Sequence, residues 1–110
     1  MQHKINKKSE YFHQLHHQED ILILPNAWDA ISAKIYEQAG AKAIGTTSAG
    51  MAIALGYPDG EVIPKSLFLE TCKRIITAVD IPVSIDIESG YGNSLTEIED
   101  TVIQIINMGQ

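Results

Sequence analysis

The sequence predicts an α/β fold built from parallel β/α units. Its 110 residues are enough for one domain at most, and hydrophobic residues make up 45% of them. Short apolar runs of strand length alternate with longer segments in which apolar residues recur at helical spacing. Strands that are each followed by a helix run parallel, because parallel strands need a crossover between them. Both a doubly wound sheet and a (β/α)8 barrel fit this order.

The pattern of the N-terminal residues predicts a leading helix and then a first strand. Residues 9–18 have the pattern of a short polar helix, within a leading segment that spans residues 1–20. The continuous apolar run 21–24 is typical of a strand that is buried on both faces, and Pro25 ends it. Asn26 then resembles a helix N-cap, and Asp29, three residues later, is placed to complete a capping box with it.

The next two units follow the same pattern. One buried helix face is predicted from the spacing of Ile31, Ile35 and Ala39, and Gly40 indicates the end of that helix. The second strand is predicted at residues 43–47. A turn rich in glycine and small residues spans 48–63, with a short helix near 51–55.

A second helix and a third strand follow this turn. Pro64 suits the first turn of the helix, and its predicted apolar stripe consists of Phe68, Cys72, Ile75, Ile76 and Val79. Residues 83–87 predict the third strand, and the capping-box pattern at 94–97 begins a last helix that ends near Gly109. That ending matches a helix that leads into a further strand. We therefore expect residues 1–110 to be the N-terminal portion of a single, longer domain, with three β/α units in 21–110.

The strongest chemical signal is the pair Asp86 and Glu88. Side chains alternate along a strand, so both acids point the same way if the third strand extends that far. The carboxyl ends of parallel strands are where α/β folds bind ligands, and carboxylate oxygen suits Mg²⁺. The same residues also fit a solvated loop before a helix N-terminus, and both interpretations stay open on spacing alone.

Two further segments fall at the same predicted edge. Asp59, in a Pro-Asp-Gly turn, is a third acid that could meet the first two, although turn chemistry alone explains it. Residues 46–50, at the end of the second strand, could hold an anion by hydroxyls and free amides, or form a plain turn. Trp28 follows the first strand and fits packing over the first loop.

Composition excludes several classes of protein. Eight Lys and Arg against 14 Asp and Glu give a formal net charge of −6, which argues against nucleic-acid binding. No apolar run approaches the roughly 20 residues of a membrane helix, and no secretory signal is present. The single cysteine, Cys72, excludes an internal disulfide and indicates a reducing, cytoplasmic environment. His13 and His17 fit a solvated helix face.

Four segments taken together resemble the isocitrate lyase / phosphoenolpyruvate mutase superfamily. They are Leu24-Pro25-Asn26-Ala27-Trp28-Asp29, Thr46-Thr47-Ser48-Ala49-Gly50, Gly56-Tyr57-Pro58-Asp59, and Asp86-Ile87-Glu88-Ser89-Gly90-Tyr91-Gly92-Asn93. The resemblance covers nearly the whole chain from about residue 22. It implies a (β/α)8 barrel of the TIM type, of which only the first three β/α units are present, and assembly as a homodimer or homotetramer.

The resemblance also implies a cofactor and site residues. Family members bind Mg²⁺ largely through water, and Asp86, Glu88 and Asp59 match the metal positions; Glu88 departs from the Asp that is usual in the strand-three motif. The turn that holds a small substrate carboxylate matches positions 47, 48 and 49, which are Thr47, Ser48 and Ala49. Trp28 matches a position near the substrate in some members. No catalytic residue can be carried over, because the gating loop lies beyond Gln110.

The function implied is that of a Mg²⁺-dependent lyase or phosphonomutase, an enzyme that makes or breaks C–C or P–C bonds of small α-keto or hydroxy acids through an enolpyruvate-like intermediate. We expect the 110-residue chain alone to be inactive. The alternative is a non-catalytic α/β half-barrel that binds an anionic ligand or assembles with a partner. A flavodoxin-like module of three units is a third, weaker possibility.

Overall fold

A computed structural model describes residues 2–109 of the chain, with side chains from Lys7 onward. The elements in chain order are α1 (Gln2–Leu15), β1 (Asn26–Ala27), α2 (Ala30–Gln38), β2 (Ile44–Thr46), α3 (Ser48–Leu55), α4 (Lys65–Ala78), β3 (Val83–Ser84) and α5 (Leu95–Asn107). Met1 and Gln110, the ends of the predicted 1–110 domain, lie outside the described residues. None of the described helices combines the length and the apolar content needed to cross a bilayer.

The described strands form one parallel sheet in the order β1-β2-β3. The predicted α/β class with parallel strands is therefore confirmed. A flavodoxin-like module would place its first strand between the second and third, so that alternative is wrong. The observed order is shared by a barrel and by the first half of a classic doubly wound sheet.

The first strand lies later than the sequence pattern predicted. Residues 21–24 form no strand, and Ile21 and Ile23 are 88% and 74% exposed instead of buried on both faces. The reason is the position of β2, which begins only at Ile44. The N–H of Gly45 donates to the carbonyl of Pro25 at 3.0 Å, so pairing starts there, and no strand in the described part of the chain lies beside the apolar run.

Two predictions for the first β/α helix are also wrong. The N-cap is Asp29, whose carboxylate accepts the N–H of Ser32 at 2.8 Å, while Asn26 lies in β1. The helix buries Ser32 and Ala33, and leaves Ile31 and Ile35 exposed. A small residue on the inner face lets α2 lie close to β1, β2 and α4, which turns the two isoleucines away from the core.

The remaining elements match their predictions with shifted ends. The leading helix is longer at its N-terminal side than the predicted 9–18, and β3 stops at Ser84 rather than at residue 87. The core between sheet and helices includes Phe68, Ile44, Met51, Ile75 and Cys72, all fully buried. Cys72 is a core residue, as predicted, and burial raises the pKa of its thiol to about 12. His13 is exposed on α1, as predicted, whereas His17 is exposed beyond the end of the helix at Leu15.

Candidate functional site

Beyond their paired residues, the carboxyl ends of β2 and β3 are connected by a hydrogen bond to a side chain. Where the β2–β3 pairing ends, the N–H of Asp86 donates to Oγ1 of Thr46 at 2.9 Å. The next residue after β2, Thr47, donates its N–H to the carbonyl of Ala27 at 3.0 Å. The carboxyl ends of the described strands are thereby tied together, and the residues that follow them share one edge of the sheet.

Asp86 presents an exposed carboxylate at this edge. Its Oδ1 accepts the N–H of Glu88 at 2.9 Å, which closes a turn of the type that aspartate favours. No described group donates to its Oδ2. Asp86 is therefore held at its backbone and at one carboxylate oxygen, while the other oxygen is available for a ligand.

Glu88 reaches the same edge by a different route from the predicted one. The predicted alternation required a strand through residue 88, but β3 ends at Ser84 and Glu88 has a left-handed φ of 52°. The strand ends early because β2 ends at Thr46 and α3 begins at Ser48, so residues 85–87 have no strand partner among the described residues. The turn around Asp86, not the pleat of a strand, therefore directs Glu88.

The acids of this edge interact through their charges. Partial burial raises the pKa of Glu88, a hydrogen bond from the Tyr91 hydroxyl at 3.2 Å opposes that rise, and the negative charges of Asp59, Glu61 and Asp86 add to it. Asp59 itself is exposed on the turn after α3. All of the predicted metal residues thus lie within electrostatic range of Glu88. Among the described residues, however, no three His, Cys, Asp or Glu side chains are close enough to form a ready-made metal cage.

The predicted carboxylate-binding turn forms the N-terminus of α3. Thr47 is its N-cap, and Oγ1 of Thr47 accepts the N–H of Gly50 at 3.1 Å. Ser48 and Ala49 occupy the first helical positions, where backbone N–H groups have no partner within the helix. Their amides therefore lie at the open end of the helix, which begins two residues after Thr46.

Trp28 adjoins this helix end. Trp28 is 40% exposed, and its backbone N–H donates to Oγ of Ser32 at 3.0 Å. A Cβ built on Gly50 would lie 3.4 Å from the Cβ of Trp28 and 2.7 Å from Cγ2 of Thr47. Glycine at position 50 therefore allows Trp28 to approach the first turn of α3, whereas the prediction was packing over the first loop.

Sequence reasoning missed Glu61. Its Oε1 accepts the N–H of Tyr91 at 2.7 Å, and its Oε2 accepts both the N–H of Ser89, at 3.1 Å, and the Ser89 hydroxyl. These hydrogen bonds lower the pKa of Glu61, and the bond from the Ser89 hydroxyl has the largest effect. The only sequence signal was its place two residues after Asp59, because its partners lie about thirty positions away along the chain.

A family model described as phosphoenolpyruvate phosphomutase matches residues 12–110. The chain belongs to the phosphoenolpyruvate phosphomutase family. Sequence relatives include an uncharacterized protein of Mycobacterium tuberculosis, 40% identical over 98 residues. They also include the 2-methylisocitrate lyase of Bacillus subtilis, 32% identical over 97 residues. The alignments cover 89% and 83% of this chain, and 38% and 32% of the respective relatives.

Solved structures of this family superpose closely on the chain. A Burkholderia cenocepacia protein described as a phosphonomutase superposes with a TM-score of 0.89 and 41% identity, over 94% of this chain and 42% of that protein. A phosphonopyruvate hydrolase in complex with oxalate and Mg²⁺ superposes with a TM-score of 0.84 and 25% identity, over 93% of this chain and 36% of that protein. This phosphomutase-family chain thus spans less than half the length of these relatives.

In this family member, replacing Tyr91 by phenylalanine is expected to raise the pKa of Glu88 further. The hydroxyl of Tyr91 donates to Oε2 of Glu88 and stabilises its charged form, so its loss leaves burial and the neighbouring acids unopposed. A folded-state pKa above the unfolded value means that the stability from this group is present below the unfolded pKa and is lost as pH rises through the folded one. Carboxyl NMR titration of Glu88 measures the change, and an unchanged or lower pKa would contradict it.

Proposed function

We propose that the whole protein is a Mg²⁺-dependent lyase or mutase that acts on C–C or P–C bonds of small α-keto or hydroxy acids through an enolpyruvate-like intermediate. This chain contributes the first three β/α units of its (β/α)8 barrel. The observation that supports the proposal is that Asp86 is tied to Thr46 just before the N-terminus of α3, at the carboxyl edge of a parallel sheet, with Asp59 and Asp86 within electrostatic range of Glu88. In such folds that edge binds the ligand.

The acids fit a hard divalent cation. Asp86 has an oxygen without a described donor, and Glu88 carries a raised pKa partly because three like charges surround it. A cation relieves that repulsion, and Mg²⁺ usually keeps several waters, which suits carboxylates that do not form a closed cage. Asp86, Glu88 and Asp59 would hold the ion. Bound Mg²⁺ supplies a positive charge that stabilises negative charge developing on substrate oxygen.

The N-terminus of α3 would orient the substrate. The amides of Ser48 and Ala49 are suited to a carboxylate, because they are aligned N–H donors at the positive end of a helix. Thr47 uses its hydroxyl to cap the helix, so its part is to hold these amides in place. Trp28 would cover one side of the bound acid and keep water from it.

Oxalate is the probe for this site, since it carries two carboxylates and resembles enolpyruvate in charge and planarity. We expect isothermal titration of the chain to show oxalate binding at least about tenfold tighter with Mg²⁺ than with EDTA, because metal and amides bind the ligand jointly. The chain itself is expected to show no lyase or mutase turnover. Equal binding of oxalate in Mg²⁺ and in EDTA would contradict the metal-dependent function.

A second candidate is a non-catalytic half-barrel that assembles with a partner. The observation that favours it is the exposed apolar surface of α5, where Leu95, Ile103 and Ile106 are 73%, 55% and 54% exposed. Apolar surface of this kind commonly marks a contact with further polypeptide. Metal-independent oxalate binding, or none, in a chain that sediments as an oligomer would favour this candidate. The same surface is compatible with an enzyme that forms a homo-oligomer.

A further inference from the structure

The loop that carries Glu88 has one described backbone hydrogen bond of its own, from the N–H of Gly90 to the carbonyl of Ile87 at 2.8 Å, and needs further contacts to hold its conformation. Beyond Ser84 it pairs with no strand within residues 2–109, and two of its non-glycine residues, Glu88 and Tyr91, have φ of 52° and 55°. Residues other than glycine, asparagine and aspartate rarely adopt this left-handed backbone conformation. Such a conformation persists only where surrounding contacts over-determine it.

Glu61 supplies those contacts. One carboxylate accepts the N–H groups of both Ser89 and Tyr91, at 3.1 and 2.7 Å, as well as the Ser89 hydroxyl. The two amides flank Gly90, so a single side chain spans the tip of the loop. Both carboxylate oxygens are thus occupied by the loop.

Glu61 also joins the two segments that carry the predicted metal residues. It follows Asp59 by two residues and has a left-handed φ of 62° of its own, which directs its side chain across to the β3–α5 loop. Tyr91, held at its N–H by Glu61, donates its hydroxyl to Glu88 and stacks on the buried ring of Phe68, with centroids 4.2 Å apart. A continuous set of contacts therefore runs from the Asp59 turn through Glu61 and Tyr91 to Glu88.

We propose that Glu61 is a positioning residue for the metal site. Its hydrogen bonds hold the 88–91 loop against the turn of Asp59, an arrangement called the latch below, and so set the spacing between the carboxylates. This role in the metal site rests on the Mg²⁺-dependent function proposed above. Glu61 acts through the loop and leaves coordination to Asp86, Glu88 and Asp59. Outer-shell groups that orient metal ligands commonly change metal affinity by about 10- to 100-fold.

The test compares Glu61→Gln with Glu99→Gln in the 110-residue chain. The amide of glutamine keeps one acceptor oxygen but places an NH₂ group against an N–H of the loop, whereas Glu99 is an exposed acid of α5 and controls for the lost charge. We expect the amides of Ser89 and Tyr91 to exchange at least about tenfold faster in Glu61→Gln, measured by NMR without metal. Mg²⁺-dependent oxalate binding should weaken about 10- to 100-fold, with Glu99→Gln unchanged in both measurements.

A milder variant keeps the test informative if Glu61→Gln folds poorly. Ser89→Ala removes one donor to Glu61 and retains both backbone N–H groups, so it should raise exchange at residue 89 and weaken binding by a smaller factor than Glu61→Gln.

Each outcome separates the latch from the proposed function. Unchanged exchange at Ser89 and Tyr91 in Glu61→Gln would overturn the latch. Unchanged exchange with lost Mg²⁺ binding would make Glu61 a direct ligand instead, which also overturns it. If the unmodified chain binds no Mg²⁺ and oxalate, the proposed function fails, and the exchange measurement alone still decides whether Glu61 holds the loop.

Discussion

Replacing Asp86 by alanine is expected to weaken Mg²⁺-dependent oxalate binding by at least about 100-fold, more than the loss of an outer-shell group. Asp86 has a carboxylate oxygen to which no described group donates, and its backbone N–H is tied to Thr46 at the end of β2. Alanine removes both the metal ligand and the turn that directs Glu88. Isothermal titration with Mg²⁺ and oxalate measures the loss.

The variant Asp86→Asn separates the ligand from the turn. Its amide oxygen still accepts the N–H of Glu88, so the loop keeps its course, but the negative charge that attracts the cation is gone. We expect Asp86→Asn to lose most of the binding as well, while Asp20→Ala, an exposed acid outside the site, leaves it unchanged. Wild-type affinity in Asp86→Asn would show that this carboxylate does not bind the metal.

The second large effect is on stability. Gly90→Ala is expected to lower the free energy of unfolding by about 2–5 kcal/mol, because two penalties add. Gly90 has a φ of 104°, and a Cβ at this position would lie 2.7 Å from Cγ2 and 3.1 Å from Cγ1 of Ile98. Urea denaturation of the chain measures the change.

Gly40→Ala is the matched control for the steric part. Gly40 has nearly the same φ, 100°, but a Cβ at this position would meet nothing within 4 Å. It should therefore lose only the conformational part, about 1–2 kcal/mol. Equal losses in the two variants would mean that Ile98 moves aside freely and that the close approach of Gly90 to α5 is not required for stability.

Local signals in the sequence predicted the chain's class and most of the candidate site. Asp86 and Thr47 were found because they lie at the carboxyl ends of the predicted strands 83–87 and 43–47, and the N-cap role of Ser94 was readable from its capping-box pattern. Glu88 was found for a reason that the structure does not support, since its direction comes from a turn at Asp86 rather than from strand alternation.

What the sequence determined by itself is the succession of β/α units, the N-cap of α5, and the acids near the strand ends, because each can be read from residues a few positions apart. The tertiary structure alone decided where pairing stops and what holds the loops. Residues 21–24 remain unpaired because β2 begins too late to reach them, and Glu61 gains its partners from a loop about thirty residues away. Such pairings depend on how neighbouring elements end in space, and a local pattern carries no record of that.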